Sequence, residues 1–283
     1  GKTIDSLPLL TKIRQSIDSI EQLLLVSITD DSNGRQYSND LGETVRFSDA
    51  INNSAENIEF ERLPFNHPLY IMYSSGTTGV PKCIVHGAGG TLLQHLKEHR
   101  LHTDLKIDDV FFYFTTCGWM MWNWLVSGLA SEATLVLYDG SPFFPDANAM
   151  VDMIDEETIS IFGTSAKFIT SLEKAGIKPR ESHKLEKLKS ILSTGSPLSP
   201  ESFEYVYRDF KSNVCLSSIS GGTDIISCFA LGNPSLPVWP GEIQCSGLGM
   251  AVEIWDDQES PIKQRKGELV CCKSFPSKPI KFW

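Results

Sequence analysis

Apolar runs alternate with amphipathic segments between residues 68 and 210, which predicts an α/β fold, a largely parallel sheet flanked by helices. After Asn233-Pro234 the helical period disappears. Short runs (Val252–Trp255, Glu268–Cys271) then stand between Pro and Gly residues, so a small β subdomain is expected to start there. The stretch 29–60, rich in Asp, Ser and Asn, separates all of this from a helix-then-strand pair nearer the start. Three segments follow: 1–65 as the end of a first α/β subdomain plus a polar connection, 66–235 as a second α/β subdomain, and 236–283 as a partial β subdomain.

In chain order, Leu9, Leu10, Ile13, Ile17, Ile20 and Leu24 recur at helical spacing, and residues 23–28 read as a short buried strand. The turn signals Asn33-Gly34 and Leu41-Gly42 mark the next stretch as an exposed connection with little chemistry. The expected strand and helix pairs are then 69–73 with 91–99, 110–114 with 119–129, 134–138 with 147–154, 159–162 with 166–174, and 188–193 with 201–210. Residues 111–126 are the most apolar, but Thr115, Thr116 and Asn123 interrupt them below the length a bilayer demands, so no membrane span is expected.

Composition narrows the function classes. With 41% hydrophobic residues in 283, the chain can bury a sizeable core. The net charge of -10 has no basic stripe within it, which argues against a nucleic-acid partner. The seven cysteines contain no C-x-x-C pair, so they read as reduced, buried small hydrophobes rather than metal ligands. The start, Gly1-Lys2-Thr3-Ile4-Asp5, lacks the pattern of a secretory signal, and together with the cysteine usage this sets the expectation of a cytoplasmic, cytosolic location.

The chemistry concentrates in Tyr73-Ser74-Ser75-Gly76-Thr77-Thr78-Gly79-Val80-Pro81-Lys82, directly after a strand. Small residues let the backbone approach closely, so N–H groups, several hydroxyls and one lysine can surround polyphosphate oxygens. A plain turn also favours Ser, Thr and Gly, but seldom places Pro and Lys at its exit after a strand. Nor is this the Walker phosphate loop, whose Lys is followed at once by Ser or Thr and leads into a helix; Gly1-Lys2-Thr3 imitates that ending without the upstream strand.

This segment resembles the signature of the adenylate-forming family, which includes acyl-CoA synthetases, luciferases and peptide-synthetase adenylation domains. Further matches run in the family's order. Ile84-Val85-His86 with Gly89-Gly90-Thr91 resembles the strand-to-helix segment of members acting on acetate, propionate and acetoacetate, and Gly118-Trp119 resembles their acyl and pantetheine channel. Thr194-Gly195-Ser196-Pro197 resembles the turn lying against the adenine. Ser220-Gly221-Gly222-Thr223-Asp224 falls where the family keeps an aromatic, a Gln, a Thr and an acidic residue.

The resemblance implies roles. Thr77, Thr78 and Lys82 would act on the phosphates in catalysis, and Ser75, Gly76 and Gly79 would cradle the nucleotide with Gly195, Ser196, Pro197, Gly222 and Thr223. Asp224 would hold Mg²⁺, with one methylene less reach than the usual Glu. Trp119 and Gly221 would line the acyl pocket, whereas Trp122 and Trp124 read as core and His86 as a satisfied core histidine. Acetate-selective relatives place a bulky Trp where this chain has Gly221 and Gly222, so a four-carbon acid should fit, and Gly221→Trp is expected to shift preference toward acetate.

The implied reaction uses ATP, Mg²⁺ and coenzyme A to activate acetoacetate through an acyl-adenylate. The family's ribose-gripping Gly-Asp pair, hinge and small lysine-bearing domain are expected beyond Trp283, and the opening of its large domain upstream of Gly1, which makes this chain an incomplete, middle section. A non-catalytic nucleotide- or acyl-binding product, or a ligase for another short acid such as acetate, are the alternatives; a peptide-synthetase module fits less well, since Asp224 does not resemble an amino-group anchor.

Overall fold

In the computed structural model of the protein, residues 5–26, 43–51, 57–74 and 79–283 are described. Ser75, Gly76, Thr77 and Thr78 of the phosphate loop therefore lie outside the described residues. The chain divides into two compact units, Gly1–Arg62 and Leu63–Trp283.

In the first unit, helix α1 (Leu7–Ser16) starts with a proline in its first turn and stops where Ile17 becomes extended at φ -132°. The helical spacing of Ile17 and Ile20 is therefore not used as helix; a spacing rule cannot see the backbone leaving the helical region. Strand β1 (Leu23–Leu25) pairs in parallel with β2 (Thr44–Arg46), and α2 (Phe47–Ala50) follows. Both β2 and α2 fall in the stretch expected to be an irregular connection, because three or four residues are too few to show a period.

The second unit opens with β3 (Pro68–Ser74) and β4 (Lys82–Gly87), an antiparallel pair joined by the expected phosphate loop, with β16 (Lys281–Phe282) on the other side of β4. Residues 69–73 thus do not join the parallel sheet. A connection this short can only fold the chain back, since a parallel crossover needs a dozen residues or more. Helix α3 (Ala88–Lys97) continues through a wider π turn, Glu98–His102.

The parallel sheet is five-stranded, in the order β6 (Thr134–Val136), β5 (Val110–Tyr113), β7 (Ile161–Ser165), β8 (Ser190–Thr194), β9 (Cys215–Ser218). Its connecting helices are α4 (Met120–Val126), α5 (Ala149–Glu156), α6 (Ala166–Lys174), α7 (Pro179–Ser182) and α8 (Pro200–Tyr205), the last extended by a π turn, Val206–Phe210. Small antiparallel sheets complete the unit: β10 (Ser220–Gly222), β11 (Ser227–Leu231) and β12 (Cys245–Ser246), then β13 (Val252–Trp255) between β14 (Pro261–Ile262) and β15 (Glu268–Cys271).

Side chains alternate across the strands, so the parallel sheet buries two faces. Phe112, Phe162, Ile191 and Leu216 pack against Val151, Ile154, Ile169, Leu172, Phe203 and Val206 of α5, α6, α8 and the π turn after it. Phe111, Tyr113, Ile161 and Leu192 face the other way, toward Trp124 and Leu125 of α4. Each fully buried side chain of this kind contributes about 1.5–3 kcal/mol. Local signals start the helices: the Ser165 hydroxyl accepts the Phe168 N–H at 3.2 Å, and the Ser199 hydroxyl accepts the Ser202 N–H at 3.3 Å ahead of Pro200. Among the described residues, no helix is long and apolar enough to cross a membrane.

Candidate active site at the sheet switch point

The chain runs from β5 outward to β6 and then crosses back to β7 on the other side of β5, which makes the β5/β7 boundary a topological switch point. Open α/β sheets leave a crevice outside the carboxyl ends of the strands at such a point. A cavity of about 770 Å³ lies here. Tyr113 and Phe114 at the end of β5, and Thr164 and Ser165 at the end of β7, form part of its wall.

The cavity gathers most of the residues singled out from the sequence that lie within the described parts. Trp119, the extended residue just before α4, is on the wall, 58% exposed, while Trp124 on α4 is fully buried in the core, as expected of it. Gly195, Ser196 and Pro197 form another part of the wall, between β8 and α8. Gly195 sits at φ +89°, a left-handed conformation in which a side chain would be strained, so the turn requires glycine there. The Thr194 hydroxyl donates to the Ile219 carbonyl at 3.1 Å and ties the ends of β8 and β9 together. Gly221, Gly222 and Thr223 supply a third part.

Lys82, Gly79 and Asp224 are not among the residues lining the cavity. Lys82 is exposed at the start of β4, paired in register with Ser74, and Gly79 takes φ +137° at the loop exit. Asp224 is exposed and follows Thr223 directly. Sequence reasoning did not single out Tyr113, Met120, Met121, Lys167 or Cys228 as wall residues. Burial pushes the phenol of Tyr113 and the thiol of Cys228 well above their ordinary ranges, so both stay protonated.

The two glycines of β10 are not equivalent. A Cβ on Gly221 would stand 2.2 Å from the Ser227 carbonyl oxygen and 2.9 Å from the Cys228 Cα, because β10 lies flat against β11. A Cβ on Gly222 would meet nothing closer than Asp224 Oδ2, at 3.9 Å. Gly221→Trp therefore drives a side chain into a strand backbone instead of the pocket. Gly222 lines the cavity and has open space where a Cβ would stand.

Behind this wall, β4 and α3 bury an unusual set of polar groups. The Glu98 carboxylate, 0% exposed, accepts hydrogen bonds from Trp124 Nε1 at 2.8 Å, Gln94 Nε2 at 3.0 Å, the Ser227 hydroxyl at 2.5 Å and the Cys228 N–H at 3.3 Å, with the Lys97 ammonium 3.5 Å away. His86, His95, His99 and His102 are buried beside it, and burial lowers the pKa of each. His102 Nδ1–H donates to the Gly232 carbonyl at 2.8 Å, and its Nε2 accepts the Leu248 N–H at 3.0 Å, which fixes the neutral tautomer. His99 packs edge-on against Trp124, with ring centroids 4.3 Å apart.

The cavity at the sheet switch point is walled by Gly195 to Pro197 and by Gly221 to Thr223, and the family model of AMP-binding enzymes matches residues 2–274. The chain belongs to the AMP-binding enzyme family. Within this family it is 63% identical over 224 residues to the acetoacetyl-coenzyme A synthetase of Rhizobium meliloti (strain 1021), a match covering 79% of this chain and 34% of that protein. It is 58% identical over 229 residues to the acetoacetyl-CoA synthetase of Gallus gallus, covering 81% of this chain and 34% of the relative. Among solved structures, the acetoacetyl-CoA synthetase from Streptomyces lividans superposes with a TM-score of 0.91 at 38% identity, over 100% of this chain and 43% of that one. The chain thus spans about a third of the length of the curated AMP-binding relatives it matches.

Proposed function

We propose that this chain carries the nucleotide- and acyl-binding core of an ATP-dependent ligase that converts acetoacetate to acetoacetyl-CoA through an acyl-adenylate. The observation that carries the reading is the cavity at the β5/β7 switch point, walled by Trp119, by Gly195 to Pro197 and by Gly222 to Thr223, in a chain 56–63% identical to acetoacetyl-CoA synthetases.

Chemically, a carboxylate oxygen attacks the α-phosphorus of ATP and pyrophosphate leaves; the thiol sulfur of coenzyme A then attacks the acyl carbon and AMP leaves. A carboxylic acid is already ionised near pH 7, so the first step needs positioning and charge neutralisation more than a base. Ser75, Gly76, Thr77 and Thr78 supply donors for phosphate oxygens, and exposed Lys82 supplies a cation. Gly195, Ser196 and Pro197 support the adenine, and Thr223 the α-phosphate. Trp119 and the open side of Gly222 shape the acyl end, where the missing side chain leaves room for a four-carbon acid.

Asp224 suits Mg²⁺. Its carboxylate is exposed and forms no ion pair among the described residues, and no group of three or more His, Cys, Asp or Glu that could hold a metal is found among them. One carboxylate completed by substrate phosphates and water is how Mg²⁺ is usually held, and the ion supplies neutralisation of phosphate charge. A cytosolic location is part of the same proposal and is supported by the free state of all seven cysteines.

ATP–pyrophosphate exchange by the purified chain, with acetoacetate, acetate, butyrate or no acid, is the direct test. Exchange stimulated most by acetoacetate supports the reading. Equal stimulation by acetate removes the substrate assignment, and exchange absent from a folded chain that binds ATP limits it to a binding role.

A further inference from the structure

The turn carrying Thr223 and Asp224 is poorly held by its own backbone. Its internal bonds are Ile225 N–H to the Gly222 carbonyl at 3.3 Å and Ile226 N–H to the Thr223 carbonyl at 3.2 Å. Ile226 takes φ +49°, a left-handed conformation that a β-branched residue adopts at a cost. Such a backbone persists only when its surroundings over-determine it.

Side chains from other parts of the unit do this. His86 Nε2–H, from β4, donates to the Thr223 carbonyl at 3.0 Å. The Ser277 hydroxyl donates to the Ile225 carbonyl at 2.7 Å. His95 Nε2–H, from α3, donates to the Ile226 carbonyl at 2.5 Å. A carbonyl can only accept, so both histidines carry a proton on Nε2. Glu98 then accepts from Ser227 and Cys228, one step further along. Asp224 is thus bracketed by fastened residues.

His86 is more than core filling. It is 0% exposed and its Nδ1 has no hydrogen-bond partner among the described residues, so the ring is buried at a cost an apolar side chain of similar size would avoid. What the imidazole adds is one directed bond to the residue before Asp224.

We propose that His86, His95 and Ser277 are positioning residues that clamp the Thr223–Ile226 turn and so aim the Asp224 carboxylate at the metal–nucleotide complex. This rests on the reading of Asp224 as the residue that holds Mg²⁺.

The experiment is a Mg²⁺ titration of ATP binding to the purified chain, followed calorimetrically, with ATP affinity also measured in the absence of metal. In His86→Leu the Mg²⁺ midpoint rises about tenfold, the loss expected when one hydrogen bond is removed from a desolvated carbonyl. Metal-free ATP affinity stays within about twofold, and His86→Gln, which keeps a donor at similar reach, restores the midpoint to within about threefold of wild type. A folded His86→Leu with an unchanged midpoint, or one that loses metal-free and metal-dependent binding equally, overturns the clamp. Should His86→Leu fail to fold, Ser277→Ala carries the test: a rise of about threefold supports the clamp and no change overturns it. Asp224→Asn separates the two levels. If it abolishes the Mg²⁺ response while His86→Leu leaves it intact, only the clamp fails; if wild type shows no Mg²⁺ response, or no ATP binding, the metal reading falls and the clamp with it.

Discussion

Two regions flank the cavity and are built on opposite principles. The face of the parallel sheet under α5, α6 and α8 is a continuous apolar core in which Phe162, Leu172, Val206 and Leu216 are almost wholly buried. The region behind β10 and β11 buries Glu98 and four histidines instead. Apolar packing is nondirectional and serves stability. A buried hydrogen-bonded carboxylate adds little net stability over a good apolar replacement, yet it fixes where its partners stand. Glu98 holds α4 through Trp124 and β11 through Ser227 and Cys228, two parts of the same cavity wall. The chain thus spends directional interactions where geometry matters and uses bulk hydrophobic burial elsewhere.

That contrast can be broken in several ways. Removing the carboxylate in Glu98→Ala strands the Trp124, Gln94 and Ser227 donors in the interior, and a loss of about 3–5 kcal/mol in urea unfolding is expected. Leu172→Ala in the apolar core should cost about 2–4 kcal/mol by the same measurement, but leave the Mg²⁺ midpoint for ATP unchanged. Equal effects of the two variants on that midpoint would erase the distinction between the regions.

The histidines give a pH-dependent version. Burial holds the folded-state pKa of His99 well below the ordinary 6.5, so the unfolded chain takes up the proton first. Stability is fully present above about pH 6.5 and falls as the pH drops below it, because the unfolded chain takes up a proton that the buried ring does not. His86, His95 and His102 shift in the same direction and add to the loss. A melting temperature that is flat over this range would contradict the neutral, buried assignment.

The smallest effect concerns selectivity. If the chain activates acetoacetate as proposed, Gly222→Trp should move preference toward acetate by about tenfold in exchange assays, with the fold retained. Gly221→Ala, by contrast, pushes β10 off β11 and should lower the melting temperature without a matching change in preference.

Much of this site was legible in the linear order of residues. The Ser/Thr/Gly cluster before Lys82 stood out because close backbone approach and phosphate contact demand particular residue types, whereas the turn at Gly195 to Pro197 and the pair Thr223-Asp224 stood out only through their resemblance to the family's motifs. The alternation of strand and helix from β5 to β9 was legible for a similar reason, since period 2 and period 3.6 leave different marks. Glu98 was not: in an amphipathic helix a charged residue reads as solvent-facing, and only the approach of Trp124 and Ser227 makes it a buried anchor.

The sequence by itself determined the α/β alternation, which follows from local hydrophobic period, and the family, which its motifs resemble in order along the chain. Tertiary structure alone decided that β3 and β4 form an antiparallel pair, that His86 holds the Thr223 carbonyl 137 residues away, and that a side chain at Gly221 would meet the β11 backbone while one at Gly222 would meet open space. Those depend on the distance and direction between segments far apart in the chain, which no pattern of residues along it encodes locally.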